Sequence, residues 1–325
     1  MRKYFNYKSV LLYSMLLLLL GLYAYHARKD TANPYEAPIT DDYITPTPTP
    51  KPTINSIDNP NALYVRDTVI QMEDSTDEVI RKLGLPGRIA DTEYDFTYYI
   101  YNNDYKQLLF VALKDNKVVG FYTDALNFQY HGFRYGASLD EINQALGEQF
   151  TLSEVLTKNH SEYKISILMD KLETGKIVGI YVLSNAVKED GYNEEILTNA
   201  EQMVYDLANS ARVRNGLDPL SWSSSAGQAA RKHSMNMSSE DFFSHTDLSL
   251  RSPGDRLNAE GISFQKCGEN IIAGYGSAIL SNHGWYNSVG HRKNLLNEKY
   301  RYLGVGFAYD EDSIYKTYFT QNFYR

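Results

Sequence analysis

The 325-residue chain contains one cysteine, Cys267, so no intrachain disulfide can form and an oxidising environment must be met without covalent staples. It also lacks a positive excess: 32 lysines and arginines stand against 40 aspartates and glutamates, a net charge of −8, and no basic run exceeds two residues. A nucleic-acid binder needs a basic surface to displace counterions from phosphate, so that class is excluded. The acidity is local. Residues 198–325 carry 13 acidic and 13 basic side chains, and the 27 acidic and 19 basic residues upstream hold the whole imbalance. No Gly-x-Ser-x-Gly elbow surrounds Ser244 or Ser288, which removes the usual support for a serine nucleophile.

What is present begins with 19 uncharged residues between Lys8 and Arg28, including Met15-Leu16-Leu17-Leu18-Leu19-Leu20. That is close to the roughly 20 residues that cross a bilayer core. Residues 1–27 are therefore expected to form an N-terminal membrane anchor, a single transmembrane helix. Arg2, Lys3 and Lys8 favour a cytoplasmic N-terminus, which places the rest of the chain outside the cytoplasm. The alternative is a signal peptide whose cleavage releases a secreted protein, although Ala24-Tyr25-His26-Ala27 departs from an A-x-A site. Residues 28–59, with Thr45-Pro46-Thr47-Pro48-Thr49-Pro50-Lys51-Pro52, read as a Pro/Thr-rich linker in extended polyproline conformation, with a reach on the order of 100 Å.

The remaining length suits two globular units. Between residues 60 and 190 one unit occurs twice: Ser75-Thr76-Asp77-Glu78-Val79-Ile80-Arg81-Lys82-Leu83-Gly84 recurs as Ser138-Leu139-Asp140-Glu141-Ile142-Asn143-Gln144-Ala145-Leu146-Gly147. Each copy opens with a Ser-x-x-Glu capping box, runs as a short helix and stops at glycine. The spacing predicts strands at 98–101, 108–113 and 118–122 in the first copy, and at 164–169 and 177–183 in the second. The reading is a duplicated α+β domain that assembles no catalytic chemistry, since His131 and His160 stand alone.

Residues 194–325 are expected to form the second unit. Thr198-Asn199-Ala200-Glu201 reads as a capping box for a helix that runs to Asn215-Gly216. Further helices are predicted over 225–237, over 252–261 with Pro253 in the first turn, and over 277–287. Strands at 303–309 and 314–323 close the chain as a hairpin.

This region carries Asn209-x-x-Arg212, Leu217-x-Pro219-Leu220, Phe243-Ser244-His245, Ser252-Pro253-x-x-Arg256-Leu257, Gly268-Glu269-Asn270, Trp285-x-Asn287-Ser288-x-Gly290-His291-Arg292-x-Asn294, Gly304-Val305-Gly306 and Thr320-Gln321-x-Phe323. In this order and spacing they resemble the CAP superfamily (cysteine-rich secretory, antigen 5 and pathogenesis-related proteins) in its bacterial, SCP-like branch. The duplicated region resembles the CAP-associated N-terminal domain that accompanies that branch. The resemblance implies a three-layer α-β-α sandwich with a cleft lined by histidines and glutamate. Carried over position by position, His245, Glu269 and His291 match the cleft residues, with Gln321 counted among the ligand-binding positions. Many eukaryotic members place another glutamate three residues after the tryptophan, where this chain has Ser288.

Two histidines and a carboxylate could hold Zn²⁺ with an open fourth position, could transfer protons with Glu269 as a catalytic base, or could be a neutral hydrogen-bonded set. On their own residues, His233 reads as a packing residue within its helix, His283 as an exposed position, and Cys267 as a buried apolar-like thiol. Three functions stay open. The first is a binding module for a small apolar or peptide ligand or an envelope partner. The second is a zinc-dependent hydrolase acting on peptide or cell-wall bonds. The third is a regulatory interaction scaffold of the envelope or sporulation. A zinc hydrolase needs three protein ligands and a separate general base, and only three groups are visible, so the reading leans away from an enzyme.

Overall fold

The computed structural model describes residues 61–325, so the expected membrane segment and the Pro/Thr-rich linker lie outside the described residues. Among the described residues no helix is long and apolar enough to cross a membrane.

The N-terminal part opens with β1 (Ala62–Val65) and β2 (Thr68–Gln71), then α1 (Thr76–Leu83), β3 (Arg88–Asp91), β4 (Thr97–Tyr101), β5 (Leu109–Lys114), β6 (Lys117–Thr123), β7 (Gln129–Tyr130) and β8 (Phe133–Arg134). It continues with α2 (Leu139–Leu146), β9 (Val155–Asn159), β10 (Tyr163–Asp170) and β11 (Lys176–Ser184). Both short helices start where the sequence places them. Ser75 and Ser138 accept from the backbone of Glu78 and Glu141, whose carboxylates return the bond, and Gly84 and Gly147 follow with positive φ.

The duplication is written into the sheet. β6 and β11, the last strands of the two copies, pair antiparallel at the centre of a seven-stranded sheet ordered β3-β4-β5-β6-β11-β10-β9. Each copy's hairpin carries a register irregularity near its turn, between Ala112 and Leu113 and between Leu168 and Met169. One face of this sheet buries Val111, Phe121, Ile167 and Ile180 with Val79 of α1 and Ile142 of α2.

The other face packs on the C-terminal part, which comprises α3 (Glu194–Arg214), β12 (Ser221–Trp222), α4 (Ser224–Ser239), α5 (Pro253–Ala259), β13 (Cys267–Ala273), α6 (Ala278–Tyr286), α7 (Val289–Leu295), β14 (Tyr302–Tyr309) and β15 (Thr317–Tyr324). A single apolar core runs from Tyr98, Phe110 and Tyr122 through Val204, Leu207 and Ala211 of α3 to Val305 and Phe307 of β14. The second sheet has the order β12-β14-β15-β13, with β12 parallel to β14 and the rest antiparallel. It lies between α3 on one face and α4 on the other. The architecture is mixed α/β throughout.

Gly304 and Gly306 explain the Gly-Val-Gly motif. A methyl group on either would overlap the α4 backbone, at Ala226–Gly227 and at Ala230–Arg231, so only glycine lets this helix lie flat on β14.

Four expectations need correction. The Thr198 cap is not a cap: α3 begins at Glu194, Asn193 accepts from the Ile196 amide at 2.9 Å, and Thr198 bonds back to the Glu194 carbonyl. Glu201, expected to complete that box, is buried and bonded to Arg231 at 2.6 Å and to the Phe307 amide at 3.0 Å. β15 starts at Thr317, because Ile314 and Tyr315 stay exposed in the turn ahead of Lys316, whose φ is +60°. His283 is buried, with Nε2 donating to the Glu154 carbonyl at 2.9 Å.

Candidate functional site

β13 organises the site because its side chains alternate between faces. Glu269 points toward α4 and α5. Asn270 points toward α7. The Gly-Glu-Asn segment thus serves two different sets of partners from adjacent positions.

Glu269 is buried in the middle of the strand, and both of its carboxylate oxygens are engaged. Oε1 lies 2.9 Å from Nδ1 of His245, and Oε2 accepts from Nη2 of Arg256 at 2.7 Å. Asn322, directly across on β15, satisfies both ends of its amide when the nitrogen faces Oε2 at 3.1 Å. A second Arg256 contact, from Nη2 to the carbonyl of His245 at 2.9 Å, holds the backbone of the histidine that the carboxylate meets. Arg256 stands on α5, which is fixed by Ser252 and its capping partner Asp255. Its own signal in the sequence was the Ser-Pro-x-x-Arg motif; nothing in that motif names Glu269 as its partner.

His245 lies on the loop between α4 and α5, with about half of its side chain exposed. Two non-glycine residues of this loop, Asp241 and Leu250, adopt left-handed backbone conformations at φ +50° and +62°. The segment is pinned from beneath by His233, buried on α4, whose Nε2 donates to the Ser244 carbonyl at 2.9 Å. His233 also comes within 3.9 Å of Oε1 of Glu269. Burial holds its pKa below the ordinary histidine value.

His291 stands on α7, on the other side of β13. Its link to β13 runs through Asn270, whose Nδ2 donates to the His291 carbonyl at 3.1 Å and to Oε1 of Gln321 at 3.1 Å. Asn294, one turn further along α7, donates to the Glu269 carbonyl at 3.0 Å and to Oδ1 of Asn270 at 3.1 Å. Burial, and then the proximity of His245, lower the His291 pKa. The two histidines are therefore electrostatic neighbours. Gln321 is fully buried beneath Asn270 and supports it, instead of reaching the surface.

The arrangement does not fit the expected zinc set. A ligating Glu269 would have to turn one oxygen from His245 or Arg256, and a guanidinium 2.7 Å away already supplies the positive charge a metal would bring. Among the described residues no group of three or more His, Cys, Asp and Glu side chains is placed to hold a metal ion. The same bonds tie both Glu269 oxygens to His245, Arg256 and Asn322. Cys267, two residues before it, is half-buried, and burial raises its thiol pKa, which opposes nucleophilic use.

The motifs outside the cleft are structural. Asn209 exchanges two bonds with Leu220, and buried Arg212 donates to the carbonyls of Asp218, Leu295 and Asn297.

Comparison with known proteins gives two family matches: the cysteine-rich secretory protein family over residues 205–323 and the CAP-associated N-terminal domain over residues 72–182. A relative from Bacillus subtilis (strain 168), the uncharacterized membrane protein YlbC, is 30% identical, covering 76% of this chain and 80% of its own length. A crystal structure of an extracellular protein containing an SCP domain from Bacillus anthracis aligns with a TM-score of 0.66 at 25% identity, over 78% of this chain and 93% of that one. A cysteine-rich secretory protein from Staphylococcus aureus shares the fold, with a TM-score of 0.62 at 16% identity over 82% of this chain and 97% of that one.

Proposed function

The chain belongs to the cysteine-rich secretory protein family, in the bacterial form with a CAP-associated N-terminal domain, and from this premise we propose that it is a membrane-anchored, extracytoplasmic binding protein whose cleft takes a small apolar or peptide ligand. The observation that carries this reading is the contrast between a Glu269 whose oxygens are both committed and an exposed rim that is apolar. Phe243, Leu248 and Leu250 flank His245, Val289 precedes His291 by two residues, and Ile314 and Tyr315 stand on the β14–β15 turn, all of them exposed. The Phe243 and Tyr315 rings are 6.0 Å apart, and the Ile314 amide donates to Asp241 at 3.0 Å, which brings that turn to the His245 loop. Exposed apolar side chains on the loop that carries His245 and on the turn that packs against it suit recognition of a ligand with an apolar body.

The uncharged stretch between Lys8 and Arg28, a relative named as a membrane protein and a structural neighbour described as extracellular support the location.

Titration of the full chain with anilinonaphthalene sulfonate, an apolar fluorophore, tests the reading. A single saturable site that weakens at least tenfold in Phe243→Ser/Tyr315→Ser and persists in Leu85→Ser, on the distant α1–β3 loop, is the expected result. Binding that ignores the rim substitutions removes the cleft as the ligand site.

A further inference from the structure

The two parts of the chain meet through buried charge at two places: on α3, where Asp206 pairs with Arg88 and Arg214 with Asp124, and on the helix that carries His291. Arg292, the next residue on α7, is buried and bonded through Nη1 to Oδ1 of Asp170 at 2.6 Å and through Nη2 to Glu173 at 3.0 Å. Its guanidinium also lies 4.0 Å from the centre of the Tyr286 ring and donates to the Tyr286 hydroxyl at 2.9 Å. One residue past the end of α6, Asn287 donates to the Met169 carbonyl at 3.0 Å and accepts from the Lys171 amide at 2.9 Å. Met169, Asp170, Lys171 and Glu173 all belong to the end of β10 and the turn that follows it.

The two copies of the N-terminal unit differ in that turn. Between β5 and β6 the first copy has only Asp115 and Asn116; between β10 and β11 the second has residues 171–175. The longer turn folds around its own acid, with Asp170 accepting from the amides of Glu173 and Thr174 and from the Thr174 hydroxyl at 3.0–3.3 Å. Burial alone would raise the Asp170 pKa, but the Arg292 bond and charge outweigh it and the net shift is downward. The carboxylate is thus held by its own turn as well as by Arg292.

We infer that the N-terminal unit is an intramolecular brace: the β10–β11 turn, with Asp170 at its head, grips α7 through Arg292 and so fixes where His291 stands at the cleft. α7 is held at three places by polar contacts. Asp170 grips it from the N-terminal side, Asn270 and Asn294 tie it to β13, and Arg212 of α3 donates to the carbonyl of Leu295 at its end. A seven-residue helix whose N-cap Ser288 makes no side-chain bond has little stability of its own, so removing one support frees it. Asp170 is thus a positioning residue, acting on the cleft from the other part of the chain.

The inference rests on the cleft being the binding site, but its test uses no ligand, so failure of the brace and failure of the binding reading are told apart. The experiment is hydrogen–deuterium exchange with mass spectrometry on the full chain in mild detergent, comparing the natural sequence with Asp170→Asn/Arg292→Gln. This variant breaks the ion pair without changing the net local charge. Exchange over 289–295 is expected to accelerate about tenfold or more, while α5 and the β14–β15 hairpin keep their rates. The Asn270 side-chain amide resonance should shift as its acceptor on His291 moves. A second variant replaces residues 171–175 with the Asp-Asn turn of the first copy and is expected to give the same selective acceleration. Unchanged exchange in α7 in the first two variants, or acceleration spread evenly over the molecule, would overturn the brace.

Discussion

Nδ1 of His245 and Oε1 of Glu269 lie 2.9 Å apart, joining a half-exposed imidazole on a loop to a carboxylate buried on β13, an edge strand of the second sheet. The other oxygen belongs to Arg256, whose side chain is buried as deeply as the acid it pairs with. The loop histidine is therefore an addition to a structural ion pair. Removing Arg256 strands a buried carboxylate, so Arg256→Met should cost about 3–5 kcal/mol in urea unfolding, whereas His245→Ala should cost less than about 1 kcal/mol. Equal losses would mean that the histidine holds the acid as firmly as the arginine does.

The start of α3 gives a sharper contrast. Asn193→Ala is expected to lose about 1 kcal/mol, the usual worth of an N-cap, and Thr198→Ala less than about 0.5 kcal/mol. Glu201→Ala should be worst, at about 3 kcal/mol, because it leaves Arg231 without its bidentate partner and the buried Phe307 amide without an acceptor. Thermal midpoints of the three variants decide the order.

Gly304→Ala and Gly306→Ala should each fail to give a cooperatively folded C-terminal part, or lose more than about 4 kcal/mol, since the added methyl meets the backbone of α4. Gly276→Ala, where a methyl meets nothing, is the control and should fold normally. Near-UV circular dichroism separates the outcomes.

Acid should weaken the fold through His283. Burial lowers its pKa from 6.5 to about 4, so as pH falls through 6.5 the unfolded chain takes up the proton and the folded chain does not. Stability from this group is complete above about pH 6.5 and declines toward pH 4, by a total on the order of 3 kcal/mol. His283→Gln, whose amide can still donate to the Glu154 carbonyl, should flatten that slope between pH 7 and pH 4.5 in urea titrations. An unchanged slope would show that other groups carry it.

Local chemistry was legible in the sequence. The Ser75, Ser138 and Ser252 caps sit where short-range spacing put them, and the family motifs drew His245, Glu269 and His291 to one region. β13 was missed because Cys-Gly-Glu-Asn-Ile-Ile-Ala has no clean alternation, and α7 because seven residues led by Val-Gly-His-Arg-Lys carry no helical apolar period. Thr198 misled because its spacing to Glu201 imitates a cap, while the bond that decides the matter runs to Arg231 on another helix. His283 read as exposed because its cover comes from Glu154, 129 positions away. No one-dimensional pattern contains Asp170–Arg292, 122 positions apart, or the division of Glu269 and Asn270 between two faces.

Under the function proposed above, this site binds a ligand without cleaving it. Incubating the full chain with a complex peptide mixture, with and without added Zn²⁺, and counting new peptide termini by mass spectrometry tests it most directly. The account predicts no termini beyond those of a His245→Ala/His291→Ala control. Cleavage that disappears in that control and in Glu269→Gln would contradict it and make Glu269 a working catalytic group.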